Sequence, residues 1–503
     1  MTDLLTDHLL SWMIATPFLG IVALAFVRDR EWMYRTALAA SLLDVVFAIM
    51  LWAGFDFANP GMQFVDRTSQ LPTFHIQYAV GVDGISILLV LLTVLLCPMC
   101  IVGSWRSIPT RPKAFLQLIL LVEGAMLLVF SALDLFLFFM VWETITIPTY
   151  FLIMIWGGPG RFAAGLKFVL YNLTGGLLLL IAILGLYLEG GQTFDMLALA
   201  DQSYSSSTQI WFFAAFFLAL AIKLPLPPFH SWIPEAYAEA PAAGSALLTG
   251  ILLKMGGYGL LRFCLSMFPD AAATFAPIII WWAVLSILYA GALALAQSDL
   301  KTLIAYSSIS HMGFVILGVF VFNSQGLQGA ILQMFNHGVT MGALFLAVGQ
   351  LYDRTHSRAI RDYGGLHLTM PRFTALWLLF VIASFGLPGT STFVGEFLVL
   401  VGAADDHLAA VLPAMGGVVL AAVYMLWMVQ RVVLGQPQTA AASRLQDVGM
   451  REMATLVPLA VLIFWVGLYP DPWMAMTEAS VTQLIQHLTG GPVISLLQPV
   501  LQP

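Results

Sequence analysis

Six ionisable residues occupy stretches that are otherwise apolar. Glu143 lies in Phe138-Phe-Met-Val-Trp-Glu-Thr-Ile-Thr-Ile-Pro148, and Lys223 follows the apolar residues 210–222. Lys254 is set in Thr249-Gly-Ile-Leu-Leu-Lys-Met-Gly-Gly-Tyr258. His311 belongs to Ser307-Ser-Ile-Ser-His-Met-Gly313, His337 to Met334-Phe-Asn-His-Gly338, and Glu396 follows Gly395. A charge at the centre of a bilayer costs roughly 2.5–3.5 kcal/mol on insertion scales, so each residue is a site hypothesis. Two acids, two amines and two imidazoles are groups that exchange protons. In a low dielectric the charge on one shifts the proton affinity of the next, as a proton relay requires. Plainer readings stand beside this one. Glu143 and Lys223 could be a structural ion pair, His311 could bond a backbone carbonyl, and Glu396 could cap a half-helix at its positive end.

The elements that position these groups are helices in a membrane. Hydrophobic residues make up 60% of the 503-residue chain and charged residues 9%, whereas soluble domains carry about 25% charge. The composition predicts an all-α polytopic membrane protein. About 20 apolar residues cross the hydrocarbon core, and fourteen spans are predicted. They run over 9–27, 35–55, 83–104, 113–131, 133–156, 164–188, 209–229, 241–264, 275–296, 301–322, 327–350, 372–403, 407–431 and 453–475.

The seventh and twelfth spans are discontinuous. Pro225, Pro227 and Pro228 remove backbone donors just after Lys223, and Gly386-Leu-Pro-Gly389 interrupts the later one. Broken helices survive at membrane depth only where protein or a water-filled cavity surrounds them. The two breaks lie five spans apart, which makes spans 4–8 and 9–13 an inverted-topology repeat with the transport site at its breaks. The resulting divisions are 1–112, 113–264, 275–435 and 436–503, the last holding span fourteen and a C-terminal tail.

Charge sets the orientation. Arg28, Arg30, Arg35, Arg106, Arg111, Lys113, Arg161, Lys167, Lys301, Arg354, Arg358, Arg361, Arg372, Arg431, Arg444 and Arg451 fall between spans on one side. Arg67 and Arg262 fall on the other. The positive-inside rule puts the larger set in the cytoplasm and both termini outside. Among the acids, Asp44 and Glu123 are expected to contact neighbouring subunits, Asp134 to lie at an interface, and Asp299 to start a helix. Cys97 and Cys100 have CxxC spacing inside an apolar run and read as small apolar filler. No Rossmann glycine pattern, P-loop or haem motif occurs, so no redox cofactor is expected on this chain.

Several stretches carry a resemblance. They are Asp83-Gly-Ile-Ser86, Ala132-Leu-Asp-Leu-Phe-Leu-Phe-Phe139 with Trp142-Glu143, and Lys223-Leu-Pro-Leu-Pro-Pro-Phe-His-Ser-Trp-Ile-Pro-Glu235. Further on come Ala240-Pro-Ala-Ala-Gly-Ser245, Gly250-Ile-Leu-Leu-Lys254, Asp299-Leu-Lys-Thr-Leu-Ile-Ala-Tyr-Ser307, Ser310-His-Met-Gly-Phe314, Gly386-Leu-Pro-Gly389 and Phe393-Val-Gly-Glu-Phe397. The chain resembles the antiporter-like membrane subunits of respiratory complex I, the proton-pumping NADH:quinone oxidoreductase. Glutamate at 396, where related branches have lysine, favours the subunit M (chain 4) type.

The resemblance implies a half-channel in each repeat. Glu143 would pair with Lys223, Lys254 would be the central relay, His337 and His311 would pass the proton on, and Glu396 would be the terminal acid. It implies a non-redox subunit of a translocase in the bacterial inner membrane. Its partners would be the other membrane and peripheral subunits of complex I, homologous antiporter-like subunits on either side among them, together with the lipid bilayer. NADH, FMN, iron–sulfur clusters and quinone would be used in those other subunits, and no nucleic acid is expected. The alternatives are a subunit of a multisubunit cation/proton antiporter or of a membrane-bound hydrogenase-type complex, and a passive membrane scaffold.

Overall fold

The computed structural model describes residues 8–71, 76–439 and 442–490. Among these, thirteen helices are long and apolar enough to cross a membrane, and Pro371–Ser384 is a shorter apolar helix. Helix is the form an apolar chain takes in lipid, because each N–H and C=O finds its partner within its own segment. The 42-residue helix Ser391–Val432 has non-helical backbone at His407 (φ −130°). Unbroken it would run about 63 Å, twice the hydrocarbon thickness. It is therefore two segments meeting at His407, and Pro371–Ser384 leads into the first. Each of the fourteen predicted spans thus has a helical counterpart.

Three helices form the centre. Their apolar stretches are 94% buried in Ala242–Leu265, 94% in Leu300–Phe320 and 100% in Ser324–Thr355, against 28% in Arg30–Gly54 and 33% in Met450–Leu468. A helix buried all round belongs to a core, and one with an apolar outer face can meet lipid. Lys254, His311 and His337 all stand on central helices.

Both predicted breaks are present. Ser206–Lys223 ends nine residues before Trp232–Glu239 begins, and Pro371–Ser384 gives way to a helix restarting at Ser391. At the first break the prolines free carbonyls, and other groups take them up. Leu226 N–H donates to Ala221 O (2.9 Å). Trp232 Nε1 donates to Ile222 O (3.0 Å), and Trp282 Nε1 donates to Pro227 O (2.6 Å). At the second break Gly386 and Gly389 adopt φ of +73° and +92°, a region that side chains with a Cβ disfavour.

Three features were not anticipated. An antiparallel hairpin pairs Gln63–Leu71 with Ile76–Val82 and receives Leu133 N–H at Ala79 O (2.8 Å), just before the fifth span. A helix, Asp471–Thr489, lies in the predicted tail. Its Ser480 Oγ accepts from Gly84 N–H (3.0 Å) and donates to Pro60 O (3.1 Å). The fifth span is itself divided, into Leu135–Thr144 and Thr146–Trp156.

Two placements correct the sequence reading. Lys301, counted among loop cations, is 4% exposed and donates to Ala240 O (2.6 Å) and Ser245 Oγ (3.2 Å). Asp44 and Glu123 face inward, each 0% exposed within this one chain, so neither is a contact for a neighbouring subunit. Asp299 does start a helix, its carboxylate accepting from Thr302 N–H (2.9 Å). Asp134 likewise caps Leu135–Thr144.

Candidate functional site

Lys254 sits between two wide-turn segments, Leu248–Leu252 and Lys254's C-terminal neighbour Leu260–Leu265, both π-helical. Leu253 N–H bonds to Leu248 O (3.3 Å), five residues back, which releases the Thr249 carbonyl from its usual partner. Lys254 Nζ takes that carbonyl at 2.6 Å. Single π-turns within α-helices occur frequently at functional sites for this kind of reason. The same ammonium lies 2.7 Å from His337 Nδ1. Lysine can only donate, so Nδ1 accepts and the neutral His337 ring carries its proton on Nε2.

His337 and His311 meet edge to face, with ring centroids 5.8 Å apart. His311 Nδ1 lies 2.6 Å from Glu396 Oε1. An ionised carboxylate only accepts, so here Nδ1 carries the proton and Nε2 of the neutral ring accepts. Both Nε2 atoms are buried and have no protein partner. Gln333 Nε2 also donates to Glu396 Oε1 (2.9 Å). Glu396 therefore does not cap its half-helix, whose N-cap position is held by Thr390 without a side-chain capping bond. Asn336 fixes the register by donating to Ser391 O (2.7 Å) at the restart. Four of the six candidates thus form one series from Lys254 to Glu396, all 4% exposed or less.

The other two are arranged differently from the expectation. Lys223 is 2% exposed, and its ammonium donates to Asn172 Oδ1 (2.8 Å) and lies 5.0 Å from the Trp142 ring centre. Glu143 makes no direct ion pair with it, and Glu143 Oε1 is buried without a partner. The reason lies on the Arg161–Glu189 helix. Asn172 fills the place opposite Lys223, and Glu143 packs on Gly176, where a Cβ would come within 1.6 Å of Oε1. Lys223 also has no polar contact toward Lys254. Leu220 and Leu224 pack on Gly256 and Gly259 in the intervening space.

Several residues escaped the sequence reading. A cavity of about 290 Å³ is lined by Ser107, Glu239, Lys301, Asp353 and Arg358. Hydroxyls lie along the way inward from Lys301, without a continuous hydrogen-bonded chain between them. Ser245 bonds Lys301, and Thr249 Oγ1 lies 3.1 Å from Ser308 Oγ. Thr249 O then receives Lys254. Lys301 and Ser308 are two turns apart and share a helix face. That spacing was a usable signal, whereas Asn172, Gly176 and Gln333 had none.

Comparisons with known proteins agree over most of the chain. The family model "NADH:quinone oxidoreductase/Mrp antiporter, TM" matches residues 132–422, and "NADH-ubiquinone oxidoreductase chain 4, amino terminus" matches residues 12–133. The chain is 42% identical to NADH-ubiquinone oxidoreductase chain 4 of Chondrus crispus, over 94% of this chain and 97% of that one. It is 41% identical to NADH-quinone oxidoreductase subunit M of Rhodobacter capsulatus, over 96% and 97%. Among solved structures, a chain of respiratory complex I from Thermus thermophilus matches with a TM-score of 0.86 and 31% identity, over 95% of this chain and 99% of that one. A chain of the Mrp complex from a Dietzia species has a TM-score of 0.86 at 21% identity, over 96% and 99%, a likeness of fold. With the helices, the breaks and the matched stretches in agreement, the chain belongs to the antiporter-like membrane subunits of NADH:quinone oxidoreductase, in the subunit M (chain 4) group.

Proposed function

We propose that this chain translocates protons within a respiratory NADH:quinone oxidoreductase, with Lys254, His337, His311 and Glu396 as the transfer path. The observation that carries the reading is the series of buried contacts joining those four side chains. The ammonium of Lys254 gives a proton to His337 Nδ1. His337 releases its Nε2 proton, which passes to His311 Nε2, directly or through one water held by both rings. His311 then gives its Nδ1 proton to Glu396. Each ring returns to its starting tautomer by rotation or by a second exchange.

Lys223 and Glu143 act as the switch on this path. When the two draw together, Lys223 holds its proton. When Glu143 retreats to its place on Gly176, Lys223 loses that support and its proton moves toward Lys254. Moving one charge against roughly 150 mV costs about 3.5 kcal/mol, a magnitude that changes in a buried charge pair can supply. The direction is from the cytoplasm outward, with both termini outside and spans 4–8 and 9–13 as inverted repeats. NADH, FMN, iron–sulfur clusters and quinone react in partner subunits, flanking antiporter-like subunits relay the charge rearrangement, and this chain binds no cofactor.

The test is proton pumping per NADH in the assembled complex. Glu143→Ala and Lys223→Ala should each abolish most of it, and unchanged pumping in both would end the switch. Lys254→Met separates a pump from a passive scaffold, since a scaffold that still assembles loses nothing. Purification settles the antiporter alternative, because dehydrogenase subunits bearing cofactors would co-purify only with an oxidoreductase.

A further inference from the structure

Asp44 and Glu123 take no part in that path. Asp44 lies in the interior of Arg30–Gly54 and Glu123 in the interior of Pro112–Ser131, so both stand at hydrocarbon depth. Each is 0% exposed. Ser41 Oγ donates to Glu123 Oε1 at 2.6 Å. Ser41 and Asp44 are three residues apart on one helix and share a face, which turns Asp44 toward the same acid. The carboxyls are near enough to act on one another's charge. Glu123 Oε2 and both Asp44 oxygens are buried with no hydrogen-bond partner.

The surroundings supply no cation. Leu9–Phe26 contributes Thr16, whose hydroxyl faces Asp44 but donates to Trp12 O (2.8 Å). Ile87–Ser104 contributes the thiols of Cys97 and Cys100, within range of the Glu123 charge. Among the described residues no Lys, Arg or His forms an ion pair with either acid. Two adjacent carboxylates in low dielectric repel each other and lose their hydration, which disfavours double ionisation strongly. Carboxylate oxygens buried this deeply without a partner call for a proton on one of the two groups.

We infer that Asp44 and Glu123 form a second proton-binding site, a carboxyl pair that holds one exchangeable proton between the first, second and fourth spans. The proton resides on one of the two carboxyls at a time, and Ser41 Oγ supports Glu123. The site is distinct from the series ending at Glu396, since no contact joins the two.

Infrared difference spectra of the purified complex test this. Wild type minus the double variant Asp44→Asn/Glu123→Gln at neutral pH should show a protonated-carboxyl C=O band. That band should shift in D2O, be lost in alkaline titration and be unchanged by sodium. A difference spectrum with carboxylate bands alone, or a C=O band that appears only when sodium is withdrawn, would mean a metal cation holds the pair and would overturn the inference. If the double variant does not assemble, Glu123→Gln decides. A shared proton then moves to Asp44 and the C=O band changes position, and a spectrum unchanged from wild type overturns the site.

Discussion

At the first break Lys223 ends its helix and donates to the amide of Asn172, while Glu143 stands apart with Oε1 buried and without a hydrogen bond. At the second break Glu396 lies just past the restart and accepts from both His311 and Gln333. Both breaks solve the same backbone problem, the first with prolines and borrowed indole N–H groups, the second with glycines. Their side chains differ in kind. The second is joined to Lys254 through two imidazoles. The first is separated from Lys254 by Leu220 and Leu224 packed on glycines. A path needs continuity, whereas a switch needs two arrangements of nearly equal energy. The joined half has the character of a path and the gapped half that of a switch.

Four substitutions would break or sharpen this contrast. The largest effect is expected from Lys254→Met, which removes the donor at the head of the joined series. Losing a positioned proton-transfer group costs about 100-fold or more, so pumping measured with reconstituted vesicles should fall by at least that factor. Asn172→Leu comes next. It leaves a buried ammonium without its acceptor, at a cost of about 2 kcal/mol. Coupled turnover should drop roughly 30-fold, and a double-mutant cycle with Glu143→Gln should reveal coupling between the two positions.

Gln333→Leu removes one of two donors to Glu396. A hydrogen bond to a charged group contributes about 1.5 kcal/mol, so pumping should fall about 10-fold with assembly intact. Equal losses for Gln333→Leu and Asn172→Leu would argue that the halves are alike after all. The smallest effect is expected from Gly176→Ala. The added methyl overlaps Glu143 Oε1 and displaces that carboxyl at a cost of about 1 kcal/mol. Pumping should fall several-fold, because the retracted, releasing position on Gly176 is then closed to the Glu143 carboxyl.

Much of the fold was legible in the sequence because membrane helices write themselves as apolar runs. The fourteen spans and both breaks follow from hydropathy, proline and glycine. The six candidate residues were equally plain, since ionisable groups are scarce in such runs. The hairpin was missed because Gln63–Leu71 mixes polar and apolar residues without a strong alternation. The wide turns around Lys254 were missed because nothing in Leu248–Leu252 marks a change of backbone repeat. Asp44 and Glu123 were assigned to the surface because a pattern of apolar neighbours does not say which face of a helix meets protein.

The sequence by itself determined which groups could carry protons and at what depth they lie, because the cost of burying charge acts on each residue separately. It also determined the break after Lys223, since proline acts on its own backbone. The tertiary structure decided which groups touch. Asn172 rather than Glu143 receives Lys223, and His337 rather than an acid receives Lys254. Such pairings depend on the packing of helices distant in sequence, where one glycine such as Gly176 sets how closely a carboxyl can retreat. Contact is a property of two helices at once, and no single stretch of chain encodes it.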